Sequence, residues 1–205
     1  MSTAVLEHYR DDGPLAQALR AGGRFVKIPP FLLVGAGIAG LLAVAAVEGD
    51  GASDGVVAGA LAWLILLAGI SSGRPHTDRF AWSVPGMLRV GEYAGLVWVA
   101  ANAGDTGPAA AFALIAALAF RHYDIVYRPR YQGVAPPAWL QTAAGGWDGR
   151  LALAFGLLAV DALPAGMFIV AGVLGALFVA ECVMSWVRLS TRPVSVYEDE
   201  EDEGQ

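Results

Sequence analysis

Arg121, His122, Tyr123, Asp124, Tyr127 and Arg128 crowd together where an uncharged run beginning at Ala109 ends. At helical pitch Arg121, Asp124 and Arg128 share one face, three and four residues apart, and Tyr123 and Tyr127 form a stripe beside them. Guanidinium forks at head-group depth suit phosphate. Arg121, Tyr123, Asp124, Tyr127 and Arg128, joined by Arg74 and Arg79 from an earlier polar connection, are therefore candidates for holding a lipid phosphate. A second reading stays open: Arg snorkelling and Tyr at the interface anchor a helix, and basic residues set topology, without binding anything.

Two pairs, His76 with Asp78 and His122 with Asp124, offer nitrogen and oxygen ligands, and the carboxylates would suit Mg²⁺. No cofactor is otherwise called for. A phosphate-cradling Gly-rich loop, a His-Glu-x-x-His helix and a nucleophile elbow are all missing from the sequence. Arg89 and Glu92 lie one turn apart and can pair with each other. Glu181 stands alone in an apolar stretch, where a helix-to-helix hydrogen bond or a pairing with Arg89 is expected.

The elements that carry these residues are membrane helices. Hydrophobic residues make up 56% of the 205, charged residues 16%, and mean hydropathy is +0.53. Stretches 31–47, 56–70, 108–120 and 165–180 contain no charge at all, whereas a water-soluble helix needs a polar stripe. The net charge of −6 comes from the end of the chain, where Glu198 to Glu203 are six consecutive carboxylates. That tail reads as disordered, and the remainder is balanced, so nucleic acid is not an expected partner. Twelve of the thirteen basic residues are Arg, a bias that points to a GC-rich bacterial genome and a bacterial cytoplasmic membrane. The single cysteine, Cys182, excludes an intrachain disulfide.

In chain order, residues 1–30 form a cytoplasmic segment with an interfacial amphipathic helix built on Leu15, Leu19 and Val26. Residues 31–187 hold six transmembrane helices, and 188–205 form the acidic tail. The run from Leu151 to Trp186 is too long for one crossing, so Asp161 to Gly166 is expected to turn it into a hairpin. Six crossings put all thirteen Lys and Arg on one side, and leave Glu48, Asp50, Asp54, Asp105 and Asp161 on the other. The positive-inside rule then places both termini in the cytoplasm. Trp139 and Trp147, in the longest connection, are expected as interface anchors.

Arg121 to Arg128, followed by Gly133-Val-Ala-Pro-Pro137 and Gly145-Gly-Trp-Asp-Gly-Arg150, resembles a membrane domain of unknown function attached to actinobacterial CDP-alcohol phosphatidyltransferases. The resemblance spans roughly residues 15–190. It implies a role beside phospholipid head-group transfer, with such a transferase as a partner. The transferase signature itself is not met: Asp148-Gly-Arg-Leu-Ala152 begins like it, but Leu153 stands where Arg is required. Catalysis is therefore not carried over. The expectation is an all-α, multi-pass accessory or anchoring module that binds an anionic head group or a partner enzyme. The alternatives are a metal-assisted phosphotransferase, or a small transporter relaying through Glu92 and Glu181.

Overall fold

The structure, a computed structural model, describes residues 9–75, 78–132 and 136–191. The expectations for His76 and for the acidic tail lie outside the described residues. Within them the chain is helical and has no strand.

A short helix, α1 (Pro14–Gly23), precedes α2 (Pro30–Glu48) and α3 (Asp54–Ser71). A 3-10 turn at Ala81–Ser83 leads into α4 (Val84–Ala101), and α5 (Gly107–Gln132) follows. Next come α6 (Ala138–Ala143), α7 (Gly146–Ala159) and α8 (Leu163–Ser190). Prolines at the first or second positions of α1, α2, α4 and α8 start those helices where no backbone donor is needed. Pro129 lies inside α5, which continues to Gln132.

Four helices, α2, α3, α5 and α8, are long and apolar enough to cross a membrane. With 28 residues, α8 extends ~42 Å against a hydrocarbon core of ~30 Å. The buried share of these helices is small, only 28% for α8, and side chains such as Val173 and Ile169 point outward. A helix that is apolar on its outer face as well belongs in lipid. The expectation of six spans is met at four: α4 carries Arg89 and Glu92, and α7 has only 14 residues, ~21 Å. Both nonetheless pack within the bundle, α4 against α2, α5 and α7, and α7 against α8.

The most extensive contacts are α5 with α8 and α2 with α3. Gly40 of α2 makes room for the Trp63 ring of α3, whose Nε1 donates to the Ala36 carbonyl at 3.1 Å. At one end of the bundle Trp98 Nε1 donates to the Gly49 carbonyl at 2.7 Å, and the Ala52 amide donates to Asn102 Oδ1 at 2.9 Å. The α2–α3 and α4–α5 turns therefore sit side by side. The opposite end is where the charges gather.

Candidate functional site

The N-terminal segment is tied into that end by the turn that starts α7. Asp148, in the first turn of α7, accepts from the Gly13 amide at 2.6 Å, Leu15 at 2.7 Å and Ala16 at 3.0 Å. It thus caps α1, which has no side-chain cap of its own. The neighbouring Trp147 donates its amide to the Asp11 carbonyl (3.1 Å) and its indole to Asp12 Oδ1 (2.9 Å). On the other flank, Arg10 reaches the Ala68 carbonyl and Ser71 Oγ, and its Nε holds Asp12 at 2.8 Å. Gly146 must be glycine for this seat: it has φ +65°, and a Cβ there would lie 2.2 Å from the Gly13 nitrogen. We expect Asp148→Ala to cost ~1–3 kcal/mol, since it orphans buried amides as well as uncapping a helix, and Asp148→Asn to cost less. Unfolding by SDS titration measures both.

Asp11 places its carboxylate among cations. Its Oδ2 lies 2.9 Å from Arg150, 3.8 Å from Arg89 and 3.9 Å from His122 Nε2. Burial works against its charge, but Arg150, His122 and Arg89 together outweigh burial and hold the carboxyl well below the usual carboxylate range. Glu92 completes the group, accepting from Arg150 Nε at 2.6 Å and Arg89 Nη1 at 2.9 Å. Arg89 also ties in the segment's backbone through the Arg10 and Tyr9 carbonyls. His122 Nδ1 meets the Tyr93 hydroxyl at 2.7 Å.

A second group joins α5 to α8. Arg128 grips Asp124 with Nε at 3.0 Å and Nη2 at 2.5 Å, and gives Nη1 to Glu181 at 2.8 Å. Cys182 Sγ approaches Asp124 Oδ1 at 3.8 Å. Between the two groups stands Arg121, 1% exposed, its guanidinium over the Phe178 ring at 5.7 Å. None of its three nitrogens has a hydrogen-bond partner among the described residues.

The residues singled out in the sequence divide accordingly. Arg121, Asp124 and Arg128 do share a face, but Asp124 pairs with Arg128 and not with Arg121. Tyr123 and Tyr127 stack at 4.2 Å, and Tyr131 extends the ladder on the outer side of α5. Arg79 lies away from this site, over Phe80, and Asp78 Oδ1 accepts from the Phe80 amide. Arg74 follows α3 and makes no hydrogen bond through its buried Nε. For metal, no three His, Cys, Asp or Glu side chains converge among the described residues. His122 and Asp124 are instead engaged by Tyr93 and Arg128.

One family matches this chain from residue 1 to residue 203, and its description is a family of unknown function, DUF5941. The chain belongs to DUF5941. The match brings no link to CDP-alcohol phosphatidyltransferases or to actinobacteria, so the resemblance holds only as far as a family of unknown function. No curated protein and no solved structure matches the chain.

In this DUF5941 member two expectations need correction. Trp147 is fully buried under the N-terminal segment and anchors nothing at an interface, while Trp139 is exposed. Of the two expectations for Glu181 the helix-to-helix hydrogen bond is met, from Arg128 of α5 at 2.8 Å, and the pairing with Arg89 is not. The resemblance motif Gly145 to Arg150 is a socket, and its occupants Arg10, Asp11 and Asp12 were not foreseen. The signal was present as two Asp-Gly pairs, Asp12-Gly13 just before the start of α1 and Asp148-Gly149 in the first turn of α7.

Proposed function

We propose that this protein is a six-span integral membrane protein with both termini in the cytoplasm. It serves as a non-catalytic accessory or anchoring module of lipid-phosphate metabolism, and its charged end holds an anionic head group. The observation that carries the reading is how the charges are spent. Asp11, Glu92, Asp124 and Glu181 are each ion-paired with an arginine, while the buried guanidinium of Arg121 has no hydrogen-bond partner among the described residues. Carboxylates clamped in this way are poor general bases, and Glu92 and Glu181 are poor stations for a proton relay. A buried guanidinium in that state, by contrast, favours an anionic ligand.

Topology follows from the charges. Reporter fusions after Glu48, Asp105 and Asp161 should report the extracytoplasmic side, and fusions after Arg79 and Arg130 the cytoplasm. A cytoplasmic signal at Asp161 would show that α7 does not cross. For the ligand, native mass spectrometry of protein extracted in mild detergent should show anionic phospholipid enriched over its share of the membrane. Bound lipid that merely mirrors the bulk composition would remove the head-group reading.

A further inference from the structure

Arg121 of α5 keeps Nε, Nη1 and Nη2 buried with no hydrogen-bond partner among the described residues. A guanidinium presents five donors in a planar fork. Unsatisfied buried donors of this kind are costly, and most severely so when charged. Arg121 stands out among the described residues as a side chain 1% exposed with every nitrogen unpartnered. His122 is spoken for differently: its Nδ1 meets the Tyr93 hydroxyl at 2.7 Å and its Nε2 faces Asp11 Oδ2 at 3.9 Å, on the side of the first charged group.

We infer that Arg121 is the subsite for a phosphodiester oxyanion, the head-group phosphate of a singly charged membrane phospholipid. This rests on the head-group reading above and gives it an address. Phosphate is favoured because its two non-bridging oxygens match the guanidinium fork. The single charge follows from the surroundings. Asp11, Asp124 and Glu181 act on Arg121 through space, yet none comes within ion-pairing distance of it. Arg89, Arg128 and Arg150 already face Asp11, Glu92, Asp124 and Glu181, so with Arg121 included the group is balanced before a ligand enters. A dianion then leaves more uncompensated buried charge than a monoanion, and a diester is preferred to a phosphomonoester or to inorganic phosphate.

The way in is lateral. α8 packs far more closely on α5 than on α7, and the apolar cleft between α7 and α8 is bordered by Arg150, Leu153, Val170, Val173 and Leu174. Leu174 lies one helical turn before Phe178, whose ring covers the Arg121 guanidinium. An acyl chain in the cleft leaves the phosphate beside that ring, and displacement of Phe178 exposes the fork. The open, lipid-facing position of Val173 and Ile169 suits a bilayer lipid better than a solute from water.

The test uses delipidated full-length protein in detergent, with thermal unfolding followed while phosphatidylglycerol is added. Phosphatidylcholine, phosphatidic acid and inorganic phosphate serve as comparisons. Wild type should be stabilised most by phosphatidylglycerol, and Arg121→Gln should need roughly ten- to hundredfold more lipid for the same shift, the range for losing a charge-assisted hydrogen bond. Arg121→Lys, which keeps the charge but not the fork, should also lose affinity. If Arg121→Gln does not fold, Arg121→Lys carries the test. Equal response of wild type and the folded variants would overturn the subsite and leave the head-group reading intact. Equal response of wild type to phosphatidylglycerol and phosphatidylcholine would overturn both. A stronger response to phosphatidic acid or inorganic phosphate would overturn the diester assignment.

Discussion

Arg150→Met is expected to destabilise the protein by ~3–5 kcal/mol, because it strips Glu92 and Asp11 of the guanidinium that both share in a fully buried site. The cost comes less from the lost attraction than from two carboxylates left in a poorly polarisable interior. A rescue follows from that reasoning. Adding Asp11→Asn and Glu92→Gln to Arg150→Met should recover a substantial part of the loss, since uncharged amides are cheaper to bury than orphaned carboxylates. SDS-titration unfolding of the single, double and triple variants measures the coupling. Additive costs with no recovery would mean that the three residues do not act as one group.

Gly146→Ala should release the N-terminal segment without touching a charge. The new Cβ would sit 2.2 Å from the Gly13 nitrogen and 2.3 Å from its Cα, backbone atoms that cannot turn aside as a side chain would. Alanine at φ +65° adds ~1–2 kcal/mol of its own strain. Together these displace residues 10–16 and break the cap that Asp148 places on α1. The readout is maleimide labelling of Ala16→Cys in a Cys182→Ser background. Ala16 is fully buried, so the probe should react slowly in the parent and at least ~10-fold faster with Gly146→Ala, given a shift of more than ~1.4 kcal/mol toward the open form. Equal rates would place the strain somewhere other than the seat.

What the sequence made legible follows from how far apart the partners lie along the chain. The long apolar helices α2, α3, α5 and α8 stand out because a segment apolar on every side needs no tertiary information to be recognised. Arg89 with Glu92 and Asp124 with Arg128 were equally readable, since spacings of three and four residues put side chains in reach on one helix. The partner of Glu181 depends on which helices adjoin, and α8 lies against α5, out of reach of any local pattern. Asp11 and Arg150 are separated by 139 positions and lie in segments with no periodicity, so their meeting left no trace in spacing. Arg121 was named for its type and its face. That it lacks a partner depends on the packing of three helices, and only coordinates carry that.

Gly13 and Asp148 lie 135 residues apart, and this sets an order of events during synthesis. A ribosome adding roughly 5–20 residues per second makes Asp148 about 7–27 s after Gly13. For that interval the Arg10-Asp11-Asp12 segment exists without its socket, and Glu92 of α4 waits for its second guanidinium, Arg150. The bundle is therefore closed late, from its newest helices back onto its oldest segment. A nascent chain arrested before Gly145 should leave the N-terminal segment open to protease, whereas one arrested well beyond Arg150 should protect it.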